Sequence, residues 1–368
     1  MFGLLNYVLS TLKNPYYSNI ISLFLFAIVI LKNKNIQNRH SVFISIASIN
    51  WILISSLRHI SVGGRDVYVS YLSRFVQSRN ITWVDAFTSF YQGIFYGESI
   101  KDPGYLIFEK LISSWTGSYR VYLAIIAVFF MVPFARYVKK NSRDPFISFL
   151  IYSTLFYSFF SITGFRQTIA TALIVLIGFE FIKEKKILKF MIVAAIAFTI
   201  HKSAIVFLPF YFIANVKLTK KTTIIYLSIG VVFWLFGDFV ISPIANYLGY
   251  GYMLENEVTG TTTFTLMMVL ISVATLMRTR KILSINPQAQ AFIHGTYIGT
   301  ILSIMTLQNQ SFMRIQLYFS IFIVLQIPEI LMSFDKRTKI IVYYFVLSIL
   351  MLLFLRTNPR YLFFWEGG

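Results

Sequence analysis

Three arginines stand in sequence surroundings where a positive charge is costly. Arg65 follows a glycine pair in SVGGRDVYVSY, Arg166 opens an apolar stretch in SITGFRQTIATAL, and Arg314 lies one turn into another in LQNQSFMRIQLYF. A guanidinium is permanently charged, and its planar fork of N–H donors matches the shape of a phosphate group. The three arginines therefore predict a site for an anion of the phosphate class.

Residues beside these arginines extend the predicted site. Gln167 shares with Arg166 the first turn of a predicted helix, where free N–H groups and the positive end of the helix dipole favour an anion. Gly63-Gly64 would let backbone N–H groups approach a ligand closely. Further candidate site residues are Arg58, Asp102 and Lys202.

A histidine and two carboxylates are the candidates for moving a proton. His201, in AFTIHKSAIVF, precedes Lys202, whose charge favours the neutral imidazole that a proton acceptor needs. Asp66 and Asp102 are the acidic residues near the arginines, and each is either a general base or an arginine counter-ion. For Asp66 we expect the counter-ion role, because it directly follows Arg65.

Structural roles remain open for the same residues. The arginines could extend to lipid headgroups, or pair with Asp66, Asp102 or Glu109. His201 could cap a helix end among hydrated headgroups. A minority of the Tyr and Trp residues between 68 and 115 could stack on sugar rings, while most are expected in the aromatic belt at the membrane surface.

The elements that hold these residues are predicted to be membrane helices. Apolar residues make up 57% of the 368 positions and charged residues only 13%, about half the usual charged share of a soluble domain. The mean hydropathy is +0.69. In lipid, backbone groups must bond within their own segment, so apolar runs long enough to span about 30 Å form helices. We therefore predict an all-α polytopic membrane protein with a single transmembrane domain over 1–368.

The apolar runs predict about twelve spans. The shortest, 187–200 and 203–216, are separated by His201-Lys202 and could form one broken or re-entrant pair. The first predicted span of the chain, 17–31, lacks the basic region and cleavage site of a signal peptide, so we expect it to remain as a span. The predicted spans are roughly 17–31, 41–57, 119–135, 145–162, 166–182, 187–200, 203–216, 222–240, 262–277, 289–307, 311–332 and 338–355.

Basic residues in alternate loops predict the orientation. Every second loop is basic, and six loops together hold 20 of the 33 Lys and Arg. Such loops face the cytoplasm, so both termini are expected outside. Nine of the other thirteen basic residues are Arg, which orientation alone does not require. The inside loops are 32–40, 136–144, 183–189, 217–221, 278–281 and 335–339.

Two longer segments are expected on the outer side. The first, 58–118, contains WVDAFTSFYQGIF and GYLIFEKLISSW, whose apolar residues recur at helical spacing. They predict amphipathic helices that lie in the outer membrane interface. The second, 241–261, is rich in Gly and Tyr and forms either a lid or a solvated loop.

Composition excludes several classes of site. The chain has no cysteine and only four histidines, so no disulfide, thiolate zinc site or His-rich metal site is expected. The formal net charge of +19 would suggest a nucleic-acid partner in a soluble protein. Here the basic inside loops account for most of it, and no nucleic acid is predicted.

An ordered set of motifs resembles one family of membrane proteins. VGGRDVYVSY, DPGYLIFEKLI, GFRQTIATALIVL, KFMIVAAIAFTIHKSAIVFLPFYFI and SFMRIQLYF, over roughly 58–320, are similar to the EpsG/Wzy-type polymerases of O-antigen, capsule or exopolysaccharide. Some polymerases of that group carry an arginine that is followed, after ten intervening residues, by a glycine. Counted from Arg166, the glycine position is occupied by Ile177, and Gly178 comes one residue later. The chain therefore resembles the EpsG-like branch.

The resemblance implies a fold, an activity and a location. It implies a GT-C-like glycosyltransferase in the bacterial cytoplasmic (inner) membrane, acting at the outer face on repeat units carried by undecaprenyl pyrophosphate. Neither a metal nor another cofactor is implied. Membrane lipids are expected partners, and a chain-length regulator protein is a candidate partner. The family's motif positions correspond to Arg65, Asp66, Arg166, Gln167, His201 and Arg314.

These features combine into one mechanism with two alternatives. Arg65, Arg166 and Arg314 clamp the pyrophosphate, which leaves as a sugar hydroxyl attacks the anomeric carbon with inversion. His201, with Asp66 as second candidate, accepts the hydroxyl proton. The alternatives are a flippase for the same lipid-linked glycan, and a glycan ligase or acyltransferase. A flippase should show internal symmetry and charges toward both faces, whereas the unexplained charges here lie toward the outer side.

Overall fold

The fold is described from a computed structural model, for residues 13–64, 67–97, 102–247, 261–310 and 312–366. Across these ranges the chain is almost entirely helical. Within them, one isolated antiparallel β-bridge pairs Arg58 with Phe363. The predicted all-α class is confirmed. Residues 248–260 of the second predicted outer segment lie outside the described ranges, and the preceding helix runs to Tyr247.

The helices follow one another with short connections. Several are continued by π-helical turns, including Val67–Leu72, Tyr152–Phe156, Ser158–Thr163 and Ala172–Ile177. A 3₁₀ turn, Lys202–Phe207, follows the helix that ends at Ile200. The α-helices are α1 (Pro15–Phe26), α2 (Arg39–Ser56), α3 (Ser73–Asn80), α4 (Trp83–Phe95), α5 (Pro103–Trp115), α6 (Tyr119–Asn141), α7 (Pro145–Ile151), α8 (Phe165–Thr171), α9 (Gly178–Lys183), α10 (Ile187–Ile200), α11 (Phe210–Ile213), α12 (Lys220–Tyr247), α13 (Thr262–Ile285), α14 (Gln290–Met305), α15 (Phe312–Ser320), α16 (Ile323–Met332) and α17 (Lys336–Thr357).

Several helices suit a membrane by length and composition. Within the described residues five qualify as spans, and a sixth arises if α15 and α16, bent by 43°, count as one. The five are Tyr119–Asn141, Phe165–Lys183, Lys220–Gly237, Thr262–Ile285 and Lys336–Thr357. Shorter apolar helices are Pro15–Leu31, Pro145–Phe156, Ile187–Ile200 and Lys202–Ile213. The polytopic character is thus confirmed, and the count of about twelve stays a prediction.

The chain forms two compact units. Unit 1 comprises Met1–Phe179, Met191–Lys202 and Tyr344–Gly368, and unit 2 comprises Glu180–Phe190 and Ser203–Tyr343. In unit 1, α2 packs along α6, while α3 and α4 pack against α5. In unit 2, α14 packs against α12, α13 and α15.

A buried apolar cluster in unit 1 joins the elements around the predicted site. Phe75 of α3, Tyr105 of α5, Tyr122 of α6 and Phe165 of α8 belong to it, together with Ile200 at the end of α10. Each of these side chains is less than a tenth exposed. Since interiors pack at the density of organic crystals, the cluster fixes the ends of α5, α8 and α10 closely against one another.

In unit 2, a buried histidine links α14 to α12 and to the segment that precedes α12. His294 of α14 is buried, with Nε2 2.8 Å from the carbonyl oxygen of Val216 and Nδ1 2.6 Å from the hydroxyl of Tyr226. A carbonyl only accepts, so Nε2 carries the proton and the tyrosine donates to Nδ1. Both ring nitrogens are engaged, which is typical of a structural histidine.

A glycine permits a close helix approach beside the site. A Cβ built on Gly104, in the first turn of α5, would overlap Thr199 Oγ1 and would lie 2.7 Å from the threonine Cβ and 2.8 Å from its carbonyl carbon. Real Cβ atoms do not approach other atoms so closely, and the threonine backbone cannot rotate away. Any larger residue must therefore push α5 and α10 apart.

Gly104→Ala is expected to destabilise the protein by about 1–3 kcal/mol, the usual cost of overpacking. The measurement is thermal unfolding in detergent. Gly230→Ala in α12 is the matched control, because the new Cβ would meet its nearest neighbour at an ordinary 3.8 Å. That variant should be neutral or up to about 1 kcal/mol more stable, as alanine favours helix. Equal melting of the two variants would contradict the close approach.

Candidate functional site

Asp102 begins α5 in a backbone conformation that few residues adopt. Its φ and ψ are 63° and 62°, in the left-handed region, where Asp and Asn are enriched because their short side chains bond locally. Pro103 then starts the helix, a position that its fixed φ favours. The side chain of Asp102 is buried, so the unusual conformation directs a carboxylate into the interior of unit 1.

Three donors from two other segments surround this carboxylate. Oδ2 accepts from Arg166 Nη1 at 2.7 Å and lies 3.1 Å from Nδ1 of His201. Oδ1 accepts from the backbone N–H of Lys202 at 3.1 Å. Arg166 stands in the first turn of α8, and His201 follows the last residue of α10. One carboxylate thus brings together two of the residues that the sequence singled out.

The surroundings of Asp102 keep it ionised. Burial by itself would raise the pKa of the carboxyl, but the hydrogen bond and charge of His201 oppose it, as do the charge of Arg166 and the N–H of Lys202. Together they lower the pKa of Asp102 from 3.8 to about 2. A buried carboxylate with several donors is held in its charged form.

The ionised carboxylate fixes the imidazole of His201. A carboxylate only accepts hydrogen bonds, so Nδ1 carries a proton toward Asp102. In the neutral ring the remaining nitrogen, Nε2, is the one that accepts a proton. The same division of roles orients the histidine in acid–base triads.

A second buried carboxyl, that of Glu109, lies within α5, seven residues after Asp102. Tyr105 precedes Glu109 by four residues, which places these two side chains on one face of the helix. Glu109 Oε2 lies 3.4 Å from Arg74 Nε, and the hydroxyl of Tyr122 donates to Oε1 at 3.3 Å. The hydroxyl groups of Tyr105 and Tyr122 are also hydrogen-bonded to each other.

Glu109 differs from Asp102 in its proton affinity. Burial raises its pKa, and Arg74, Tyr122 and Arg166 only partly oppose it, so the pKa rises from 4.5 to about 7. Fewer donors reach this carboxyl than reach Asp102, and that difference explains the opposite directions. Glu109 therefore exchanges a proton near neutral pH.

Arg58, a secondary candidate in the sequence, lies behind the start of α8. It is buried, donates from Nη1 to the carbonyl oxygen of Ser161, and its guanidinium carbon lies 5.1 Å from the ring centre of Phe165. Arg58 is thus a buried cation beside the residue that precedes Arg166.

The other predicted residues are placed as follows. Gln167 is buried in the first turn of α8, and the contact of Lys202 with Asp102 is made by its backbone. Arg65 and Asp66 lie outside the described residues. Arg314 lies in α15 of unit 2. The convergence of Arg65, Arg166 and Arg314 on one cavity stays a prediction.

Sequence reasoning left Glu109 and Arg74 out of the site. The sequence indicates Glu109 only as one possible partner of an outer arginine, and it does not single out Arg74. The available signal was the spacing of Tyr105 and Glu109, which are four residues apart and therefore share one face of the predicted helix. Among the described residues, no three His, Cys, Asp or Glu side chains group in a way that could hold a metal ion.

Comparison with known proteins agrees with the order of the motifs. The family model described as EpsG family matches residues 41–363, which include every described residue of the Asp102 and Glu109 clusters. The chain belongs to the EpsG family. EpsG is a family of Wzy-type polysaccharide polymerases, so a general role in polysaccharide polymerisation follows. No curated protein and no solved structure matches the chain.

Asp102→Asn is expected to destabilise this EpsG family member by about 3 kcal/mol at neutral pH, because it leaves the buried charge of Arg166 without its partner. The folded pKa of Asp102, about 2, lies below its ordinary 3.8. Its contribution is therefore present above that ordinary value and is lost as pH falls through about 2.

Thermal unfolding in detergent measures the effect, with Asp85→Asn as the matched control on an exposed carboxylate of α4. A loss no larger for Asp102→Asn than for Asp85→Asn would show that the Asp102 contacts add nothing to stability.

Glu109→Gln is expected to flatten the pH dependence of stability. The folded pKa of about 7 lies above the ordinary 4.5, so the folded chain binds a proton that the unfolded chain releases. The stabilisation is complete below the unfolded pKa and is lost as pH rises through the folded pKa, about 3 kcal/mol in all.

Melting temperatures from about pH 5 to pH 8 test the sign. The wild type should lose more stability over this range than the glutamine variant. Glu184→Gln, which alters an exposed carboxylate, should keep the wild-type slope. A Glu109→Gln slope equal to that of the wild type would contradict the raised pKa.

Proposed function

We propose that the protein joins oligosaccharide repeat units, carried on undecaprenyl pyrophosphate, into a surface polysaccharide at the outer face of a bacterial cytoplasmic membrane. The bond that forms links a hydroxyl of one repeat unit to the anomeric carbon of the other chain. The bond that breaks joins that carbon to the lipid pyrophosphate. Membership of the EpsG family supports polymerisation in general, and the site residues support this particular chemistry.

One observation carries the proposal: the carboxylate of Asp102 contacts both Arg166 and His201. The reaction needs a cation for the departing pyrophosphate and a base for the attacking hydroxyl. The sequence offers Arg166 and His201 for these two roles, and Asp102 holds them around one oxygen atom. A structural ion pair alone would account for Arg166 but would not require a histidine beside it.

Each side chain has a definite part in the step. Arg166, in the first turn of α8, stabilises the negative charge that grows on the pyrophosphate, together with the helix dipole. Its side chain is 22% exposed, so it is not sealed from ligands. His201 accepts the hydroxyl proton at Nε2, while Asp102 orients the ring and stabilises the imidazolium that forms. The proton leaves the nucleophile as the carbon–oxygen bond forms.

The stereochemistry follows from a single displacement. One attack opposite the leaving group inverts the anomeric carbon. The fixed cations of the chain take the part that a metal ion plays in other transferases, so the proposed reaction is metal-independent and uses no cofactor. Arg65, Gln167 and Arg314 remain proposed ligands of the pyrophosphate, and Asp66 remains the second candidate for the base.

The proposed topology has this chemistry at the outer face of the cytoplasmic membrane. The six basic loops support about twelve crossings in a GT-C-like arrangement, with both termini outward. Helices α4 and α5 would then lie in the outer interface, since Val84, Phe87 and Tyr91 of α4 are exposed apolar or aromatic side chains. Lipid-linked glycans, membrane lipids and a chain-length regulator protein are the proposed partners.

Purified protein with lipid-linked repeat units in detergent tests the activity. A ladder of longer chains is expected, because chain growth there needs catalysis and no transport. Correctly folded protein that forms no ladder would favour a flippase. In cells, a deletion strain should accumulate single repeat units on the lipid carrier, whereas a ligase deficiency would leave long chains unattached.

Arg166→Gln should lower the rate of chain growth roughly 10²–10³-fold, as expected for the loss of one electrostatic donor. His201→Asn should lower it roughly 10²–10⁴-fold and remove the acidic limb of the pH–rate profile. His40→Asn and Arg79→Gln are matched controls on exposed residues and should keep near wild-type rates. Wild-type rates for folded Arg166→Gln or His201→Asn protein would rule out the assigned roles.

A further inference from the structure

The ion pair of Arg74 and Glu109 has no part in the mechanism above, although it adjoins the same site. Arg74 belongs to α3, and its guanidinium carbon lies 5.4 Å from the ring centre of Tyr105. Its side chain is 30% exposed, whereas that of Glu109 is fully buried. The carboxyl therefore holds the arginine from the buried side, and part of the Arg74 side chain remains exposed.

Arg166 is held in the same way. The side chain of Asp102 is 1% exposed, while that of Arg166 is 22% exposed. One carboxyl, Asp102, precedes the first residue of α5, and the other, Glu109, lies within that helix. Tyr105 and Glu109 each interact electrostatically with Arg74 and with Arg166. The two partly exposed arginines thus interact with the same pair of buried side chains.

Charge within this part of unit 1 is unbalanced. Among the described residues, Arg58 lies beside Phe165, Arg74 beside Tyr105 and Arg166 beside Asp102, and Lys110 is also buried, whereas the acidic side chains there are Asp102 and Glu109. A partly buried excess of positive charge is costly unless an anion compensates it. Arginine forks bind phosphate oxygens through paired N–H groups, and two forks can divide between two phosphates.

We propose that Arg74 and Arg166 together form a diphosphate-binding site, with Glu109 and Asp102 as the positioning residues that hold the two guanidinium groups. The ligand class rests on the proposed function, in which a lipid pyrophosphate leaves. The pairing of Arg74 with Arg166 rests on the contacts of α5. Arg74 is thereby a substrate-binding residue that the motif order did not indicate.

Binding to the purified protein in detergent tests the site by isothermal titration calorimetry. The probes are inorganic pyrophosphate and farnesyl diphosphate, whose shared diphosphate is the proposed ligand. Arg74→Gln should weaken both roughly 10–100-fold, the loss of one charge-assisted contact. Arg79→Gln removes an exposed charge from the same helix and should change affinity by no more than about twofold.

A double variant separates binding from folding. Arg74→Gln leaves a buried carboxyl without its cation, so the single variant could lose stability. Arg74→Gln with Glu109→Gln replaces both charges by neutral amides of similar shape and leaves no buried ion unpaired. It should melt near the wild-type temperature and still bind both probes 10–100-fold more weakly. Wild-type affinity in this folded double variant would overturn the proposal.

Other outcomes distinguish lipid headgroups from a diphosphate as the ligand. They also separate failure of this inference from failure of the proposed function. If Arg74→Gln changed only the interaction with phosphatidylglycerol nanodiscs, Arg74 would bind lipid headgroups and the diphosphate site would be wrong. An equal loss for Arg79→Gln would indicate nonspecific charge and would also overturn it. If Arg166→Gln abolished binding and chain growth while Arg74→Gln did neither, the inference would fail and the proposed function would stand.

Discussion

The buried carboxylate of Asp102 is the constraint on which the site depends. An ion removed from water costs several kcal/mol unless charges and hydrogen bonds replace its hydration. Arg166, His201 and the N–H of Lys202 supply that replacement. Their positions require the starts or ends of three helices to meet, and the glycine at 104 permits the contact of α5 with α10. The need to compensate this one buried charge thus constrains the local geometry of unit 1.

The two carboxyls of α5 show how one helix supports two kinds of chemistry. Asp102 stands at the helix start, where donors from other segments reach it, and it stays ionised. Glu109 stands two turns later among tyrosine rings, with one arginine edge to compensate it, and it binds a proton near pH 7. The residue types are almost alike, and the surroundings divide their roles. The permanent charge of Asp102 is suited to orienting its partners. The charge of Glu109, which changes near neutral pH, is suited to a neighbouring cation that binds and releases a ligand.

Helical class and the main apolar segments could be predicted from the sequence because they depend on local composition. Arg166 and His201 were identified individually, since a charge or an imidazole in an apolar surrounding is visible along the chain. Their union through Asp102 was not, because the partners lie 64 and 99 residues away and no periodicity spans such distances. Glu109 was hidden for a different reason: on an amphipathic helix a glutamate normally faces water, and only tertiary packing turned it inward.

The separation between Asp102 and its partners also has a consequence for synthesis. Chains are made at roughly 5–20 residues per second, so His201 emerges about 5–20 s after Asp102, since 99 residues separate them. Arg166 emerges earlier, 64 residues after Asp102, but until residues 201 and 202 follow, the carboxylate lacks the two donors that they supply, and water must complete its hydration. The packing of unit 1 around α5 is therefore completed only after α10 has been synthesised, because α10 is the last helix of this cluster to form.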